Sequence, residues 1–130
     1  MLNKTGFELP VAVTDILDKY DISICSMTAN PNVPEEICTE LEYYSPLGED
    51  FLMTVWHGRD AIDFADKLSD CANDFDTEEH AAEWYDNRHR VRGVPQSLKD
   101  LLEDAEAIKD NFINASKKIY EVLLSEKGDR

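Results

Sequence analysis

The sequence has few cysteines, few basic residues and no long apolar run. Its three cysteines, Cys25, Cys38 and Cys71, show no CxxC spacing, and such an odd, sparse set favours free thiols over a disulfide framework. No stretch approaches the roughly 18 apolar residues that a membrane-spanning helix needs. The first residues lack a basic region followed by a long apolar one, so no secretory signal is expected. We therefore predict a cytoplasmic protein that stays out of the membrane, with residues 1–130 forming a single domain.

Motifs for catalysis, cofactor binding and metal binding are also missing. The chain has no glycine-rich phosphate-binding loop, no HExxH and no EF-hand spacing. Its histidines are scattered, and carboxylate pairs are too frequent here to indicate acid–base catalysis. We predict a non-enzymatic protein without a cofactor or a metal ion. The one catalytic arrangement left open is a small hydrolase or transferase that pairs His57 with a cysteine such as Cys25.

The periodicity of the apolar residues predicts one helix, three strands and then three further helices. The predicted helices are at 11–20, 60–75, 77–87 and 98–125, and the strands are near 21–28, 37–44 and 51–57. Strands followed by helices indicate an α+β domain, here a three-stranded antiparallel sheet covered by helices on one face. The strand at 51–57 is the most apolar, which predicts that it is the central strand.

Local signals refine these elements. Asp76 and Ser97 precede helical patterns and are predicted to cap them, whereas residues 88–96 are predicted to be an irregular basic segment. Its arginines are expected to serve as internal counter-charges, with anion binding as the alternative. Five aromatic residues are expected in the core or at its edge, and any of them left exposed near the acidic face would anchor a protein interface. These are Tyr43, Tyr44, Trp56, Trp84 and Tyr85.

Acidic charge dominates the chain and is concentrated in its first two thirds. The formal net charge is −15, from 28 acidic and 13 basic residues. Residues 1–87 hold 20 acidic and 4 basic side chains, whereas residues 88–130 hold 8 and 9. Such a surface repels phosphates, so nucleic acids and anionic membranes are not expected as direct partners. A basic partner is the natural inference, and solubility alone is the alternative explanation.

One predicted helix, at 60–75, concentrates this charge on a single face. Five aspartates fall within about a 120° arc opposite the apolar stripe and extend over roughly 21 Å. Like charges at i,i+3 and i,i+4 destabilise a helix by about 0.2–0.5 kcal/mol per pair, so folding alone does not favour this arrangement. The five are Asp60, Asp63, Asp66, Asp70 and Asp74.

The following helix extends the predicted partner-binding surface with Glu78, Glu79 and Glu83. A row of carboxylates on a helix resembles the row of phosphates on DNA, which repeats about every 3.4 Å along one strand. We therefore expect the acidic face to dock on the basic surface of a nucleic-acid-binding protein. The alternative is an interaction module that self-associates through its helices, as a homodimer through the last one, with the aspartates serving solubility only.

Three segments carry a resemblance to a known group of proteins. They are Ser45–His57 (SPLGEDFLMTVWH), Asp74–His80 (DFDTEEH) and Arg92–Ala105 (RGVPQSLKDLLEDA). Over about residues 40–110 the chain resembles small acidic proteins of phages and conjugative elements in gut Firmicutes. Mobile elements carry acidic antagonists of host defence, such as antirestriction proteins and some anti-CRISPR proteins. The resemblance therefore implies a role of this kind but assigns it to no particular residue.

Overall fold

The computed structural model describes residues 7–87, 90–91 and 94–128 of the chain. It confirms the predicted α+β class, with a three-stranded antiparallel sheet and a long C-terminal helix. In chain order the elements are α1 (Val11–Lys19), β1 (Ser23–Ala29), β2 (Ile37–Tyr44), β3 (Asp50–His57), α2 (Ala61–Asp74), α3 (Thr77–Asp86), β4 (Arg90–Val91), β5 (Val94–Pro95) and α4 (Leu98–Gly128).

The strand order of the sheet is β1-β2-β3, so the prediction that the strand at 51–57 is central was wrong. Burial alternates along β3, which shows that only one of its faces lies against the core. Its remaining apolar side chains, Leu52 and Trp56, are exposed on the other face. The free edge of β3 adjoins α2, where the Cys71 thiol donates a hydrogen bond to the Thr54 carbonyl at 3.7 Å.

The described helices pack their apolar side chains against one face of the sheet, which we call the inner sheet face. Ile37 and Leu41 of β2 point into this core, and the intervening side chains alternate between the two faces of the strand. Phe64 of α2 and Phe112 of α4 are fully buried beside them, and Leu17 of α1 joins the same cluster. The packed apolar area supplies the main stabilising free energy of the fold, at about 25 cal/mol per Å² removed from water.

Side-chain caps start three of the helices, two of them where the sequence predicts. Asp76 accepts a hydrogen bond from the Glu79 amide at 3.0 Å, and the Ser97 hydroxyl accepts one from the Asp100 amide at 3.1 Å. Asp60 accepts one from the Ile62 amide at 2.9 Å and caps α2. Each such bond satisfies an amide that has no partner within its own helix.

The segment predicted as irregular, residues 88–96, contains a short antiparallel pairing. Arg90 pairs with Pro95, and Val91 pairs with Val94, to form the β4–β5 ribbon. Most of the basic residues that were predicted to act as internal counter-charges here, Arg88, His89 and Arg92, lie outside the described residues.

The last helix, α4, is 31 residues long and packs along much of the molecule. Its buried side chains Ile108, Phe112 and Ile119 follow the predicted helical period. The Asn111 side chain donates a hydrogen bond to the Tyr20 carbonyl at 2.9 Å and fastens the end of α1 to α4. Within the part of the chain that the structure describes, no helix is both long and apolar enough to cross a membrane.

We predict that Phe112→Ala destabilises the protein by about 3–5 kcal/mol. The Phe112 ring lies 5.7 Å from that of Phe51 and 5.9 Å from that of Tyr43, so its removal opens a cavity between the sheet and α4. Urea denaturation followed by circular dichroism gives the free energy of unfolding. The matched control on the same helix is Leu124→Ala, because Leu124 is exposed and its loss should change stability by less than about 0.5 kcal/mol. Equal effects of the two substitutions would contradict the packing described.

Candidate partner-binding surface

The first two aspartates of the predicted row have local structural roles. Asp60 is the N-cap of α2. Asp63 accepts hydrogen bonds from the Gly58 amide at 2.6 Å and from the Lys67 ammonium at 3.1 Å. The Gly58 hydrogen bond, followed by the one from Lys67, holds the pKa of Asp63 below its ordinary value. These two carboxylates are thus committed to the β3–α2 turn, a role that the sequence pattern did not reveal.

The remaining three, Asp66, Asp70 and Asp74, form what we call the exposed aspartate row. All three side chains are exposed on the face of α2 that points away from the core. They make no hydrogen bond or ion pair with the described residues, because the nearby Lys67 ammonium binds Asp63 instead. With spacings of four residues, successive members rise about 6 Å along the helix.

The structure brings the predicted glutamates of α3 next to the end of this row. Only Phe75 and Asp76 separate α2 from α3, and the helices meet there at a bend. Asp74, Glu79 and Glu83 line one open depression of about 330 Å³ at this junction. Glu78 lies beside Asp74 in a neighbouring depression. We call the row together with Glu78, Glu79 and Glu83, all of them exposed, the acidic helix face.

One lysine, Lys109, lies at this junction and is hydrogen-bonded to the backbone. The Lys109 ammonium donates hydrogen bonds to the carbonyls of Asn73 at 3.0 Å and Phe75 at 2.8 Å. It therefore caps the C-terminal end of α2, where the helix dipole favours a cation. Among the described residues, lysine pairs with a carboxylate at Asp63 and, on α4, at Glu121. Neither pair neutralises the acidic helix face.

A second surface, which the sequence interpretation missed, lies on the outside of the sheet. The prediction that the aromatic residues belong to the core or its edge was wrong for Tyr44, Trp56 and Tyr85, whose exposed fractions are 59%, 48% and 50%. Trp84 and Tyr43 are half-buried, as predicted. Strand alternation was the signal available, because it separates Tyr44 from the core-facing residues of β2.

We call this second surface the outer sheet face. It consists of the outward side chains of the two paired strands β2 and β3. The register places four pairs directly opposite one another: Cys38 with Trp56, Glu40 with Thr54, Glu42 with Leu52, and Tyr44 with Asp50. Leu52 is 51% exposed, so three large apolar side chains lie in solvent here beside three carboxylates.

The carboxylates of the outer sheet face crowd one another. A hydrogen bond with Asp50 is the main cause that raises the pKa of Glu42, and the charges of Asp50 and Glu40 act in the same direction. Their charges also contribute to raising the pKa of the nearby Cys25 thiol, after burial as the leading cause. Because the thiolate is the reactive form, these carboxylates make Cys25 a poorer nucleophile.

The catalytic arrangement that the sequence left open is not assembled. His57 is only 2% exposed and points into the core, where it contacts Thr39 at 2.6 Å and the Gly58 carbonyl at 2.7 Å. A carbonyl only accepts, so Nδ1 carries the proton and Nε2 accepts from the Thr39 hydroxyl. Cys25 lies on β1, with β2 between it and His57. All three cysteines are free thiols.

Two buried acids hold the β2–β3 connection against the helices. Glu49 is paired with His80 of α3 at 2.7 Å, and the Glu49 amide donates to the Ser45 hydroxyl. Asp104 of α4 accepts a hydrogen bond from the Leu47 amide at 2.9 Å. These carboxylates are 5% and 4% exposed and serve the fold rather than a partner. They are separated in sequence from their partners by 31 and 57 residues, so no local pattern identifies them.

Comparison with known proteins adds no assignment. No protein-family model, curated protein or solved structure matches this chain. Among the described residues, no group of three or more histidine, cysteine, aspartate or glutamate side chains is arranged to hold a metal ion. The chemistry that the described surfaces offer is the recognition of cations by carboxylates and by exposed aromatic rings.

Asp63→Ala should destabilise the protein by about 1–2 kcal/mol, because it leaves the half-buried Gly58 amide without its acceptor. Asp70→Ala on the same helix should leave stability unchanged or raise it by a few tenths of a kcal/mol, roughly, since it removes like-charge repulsion and adds a better helix former. Urea denaturation of both variants gives the comparison. An equal loss of stability in the two variants would contradict the distinction between the structural Asp63 and the exposed Asp70.

The buried His57 predicts a pH dependence of stability. Burial is the main cause that lowers the pKa of His57 from its ordinary 6.5, so the unfolded chain takes up a proton before the folded one does. The stability that neutral His57 provides is present above pH 6.5 and decreases as the pH falls from there toward the folded-state pKa. His57→Gln should therefore lose less stability than the wild type between about pH 7 and 5. Identical pH profiles in urea denaturation would contradict this.

Proposed function

We propose that this protein is a non-enzymatic acidic binding protein that occupies the basic nucleic-acid-binding surface of another protein, as a DNA mimic. The observation that carries the proposal is the exposed aspartate row, Asp66, Asp70 and Asp74, which forms no ion pair with a basic side chain of the described residues. The row continues around the α2–α3 bend into Glu78, Glu79 and Glu83. The acidic helix face is thus a connected surface rather than scattered charge.

The spacing of the row supports mimicry of a phosphate backbone. Successive carboxylates rise about 6 Å along α2, which is close to twice the 3.4 Å rise along the DNA axis between consecutive phosphates of one strand. A groove that binds consecutive phosphates with arginine and lysine side chains therefore meets a charge of the same sign at about every second position. Such a groove is the class of surface that we expect the acidic helix face to occupy.

Solubility alone explains this face less well. A soluble surface gains from net charge but is stabilised when both signs are mixed, because neighbouring opposite charges attract. On α2 the only lysine, Lys67, is committed to Asp63, and the three remaining aspartates repel one another. The helix thus tolerates a destabilising pattern, which selection for a binding surface would account for.

The resemblance to acidic proteins of phages and conjugative elements narrows the class of partner. A mobile element benefits when it blocks host nucleases that recognise its DNA. We therefore propose an antagonist of the antirestriction or anti-CRISPR type, with a restriction enzyme or an RNA-guided nuclease as the class of target. Binding would be steered by charge and weakened by salt.

Self-association through the helices has less support. The apolar stripe of α4, including Ile108, Phe112 and Ile119, is already buried within one chain against the sheet and the other helices. Leu98 and Leu124 are the large apolar side chains that α4 leaves exposed among its described positions, and they lie near its opposite ends. A dimer through this helix would therefore bury little additional apolar surface.

Competition with DNA tests the proposal. A labelled duplex is bound to a restriction endonuclease or to an RNA-guided nuclease, and its displacement by this protein is followed by fluorescence anisotropy at increasing salt. We expect displacement by the wild type that weakens as salt increases. Asp66→Asn, Asp70→Asn and Asp74→Asn together should weaken displacement at least about tenfold, because three contacts with cations are lost.

A matched control separates the position of the charge from its amount. Glu8→Gln, Asp15→Asn and Asp18→Asn remove the same number of charges from exposed positions in or next to α1. This variant should displace DNA nearly as well as the wild type. If both triple variants lost the ability to displace DNA to the same extent, the net charge alone would explain the displacement, which would contradict the proposal. A salt-independent dimer in light scattering, with no displacement of DNA, would favour self-association instead.

A further inference from the structure

The outer sheet face combines two properties that single-chain packing does not explain. The described helices pack on the inner face, and Tyr44, Leu52 and Trp56 project from the other side of the sheet with about half of each side chain in solvent. Exposed aromatic and aliphatic side chains that cluster within a rim of charges are typical of protein interaction sites. Here the charges are those of Glu40, Glu42 and Asp50, which lie opposite Thr54, Leu52 and Tyr44 and so between the apolar side chains.

We infer that the outer sheet face binds an arginine-rich segment of a protein partner, with Trp56 as the aromatic anchor. This inference rests on the proposed function in one respect: the partner that carries the arginine-rich segment is taken to be a nucleic-acid-binding protein. It adds a second contact surface, made by the sheet rather than by α2, and it specifies arginine as the side chain recognised.

The register of the strands supports arginine over lysine. Apolar and acidic side chains occupy alternating, directly opposed positions, with Leu52 opposite Glu42 and Tyr44 opposite Asp50. Opposed side chains on one face of a sheet lie about 4.5–5.5 Å apart at Cβ. A guanidinium can stack on an aromatic ring and at the same time donate paired hydrogen bonds to a carboxylate, whereas an ammonium lacks the planar shape for both.

The electrostatics of this face favour a cationic occupant. Glu40, Glu42 and Asp50 make no ion pair with a described basic residue. The raised pKa of Glu42, caused first by its hydrogen bond with Asp50, is the effect of two carboxylates held side by side. A cation placed beside them relieves this repulsion.

Other occupants fit the face less well. A second copy of this chain, related by a two-fold axis, would bring the same three carboxylates of both copies together. A nucleic acid would bring phosphates against them. A basic segment, in contrast, also finds carboxylates beyond Trp56. There Glu35 and Glu36 line an open depression of about 240 Å³ at the end of the sheet, together with the paired Asp63 and Lys67.

The binding chemistry can be tested with defined peptides. The full chain is titrated with octa-arginine, octa-lysine and octa-glutamate in isothermal titration calorimetry. We expect octa-arginine to bind at least about fivefold more tightly than octa-lysine, and octa-glutamate not to bind. In a Trp84→Phe background, which leaves Trp56 as the only tryptophan, octa-arginine should also shift the fluorescence emission.

Variants assign the binding to one surface. Trp56→Ala and, separately, Leu52→Gln should each weaken octa-arginine binding about fivefold or more. Both residues are exposed, so the fold should tolerate their replacement, which circular dichroism checks. The variant with Asp66, Asp70 and Asp74 replaced by asparagine should change the affinity for octa-arginine less than about threefold, because these aspartates lie on α2.

The outcomes separate this inference from the proposed function. Equal affinity for octa-arginine and octa-lysine, or unchanged binding by both sheet variants, would overturn the inference, even if the aspartate row still proved necessary to displace DNA. Conversely, peptide binding that depends on Trp56, in a protein that displaces no DNA, would support the inference and leave the proposed function without support.

Discussion

The packing of α2 and α4 against a single face of the sheet is the constraint on which both candidate surfaces depend. Phe64 and Leu68 of α2 and Phe112 of α4 are buried against the inner sheet face, and this burial fixes how α2 is rotated about its axis. The aspartates opposite that apolar stripe therefore point into solvent. The same packing places the apolar faces of the helices against the inner sheet face. No described element therefore covers the outer sheet face. The acidic helix face and the outer sheet face are thus two consequences of one arrangement.

The two surfaces offer different contributions to the binding of a basic protein. Carboxylates on an exposed helix act at a distance, accelerate encounter and orient the partner, but each exposed ion pair adds little affinity. Aromatic and aliphatic side chains act only on contact, where they exclude water and slow dissociation. The acidic helix face belongs to the first kind and Trp56 with Leu52 to the second. Together they combine fast, charge-steered association with an apolar anchor.

Local patterns in the sequence were sufficient to predict the four helices, the three strands of the main sheet, two of the caps and the α+β class, but not the β4–β5 ribbon. The period of the apolar residues in α4 and the alternation in β2 specify directly which side chains face the core. Strand order was predicted wrongly, because the apolar composition of β3 does not reveal whether a second strand or solvent lies beside it. The sequence did not reveal that Asp63 has a structural role whereas Asp66, Asp70 and Asp74 are exposed, because the Gly58 amide reaches Asp63 only when the β3–α2 turn forms. The Glu49–His80 pair depends on tertiary packing in the same way.

The exposed aspartate row implies that a bound partner stabilises the folded state of this protein. Repulsion among Asp66, Asp70 and Asp74 is present in the folded, free protein and is weaker in the expanded unfolded chain. A bound basic surface acts as a counterion that cancels this repulsion, and it does so only for the folded state. If the proposed function is correct, complex formation and high ionic strength both raise the melting temperature of this protein. High ionic strength at the same time dissociates the complex.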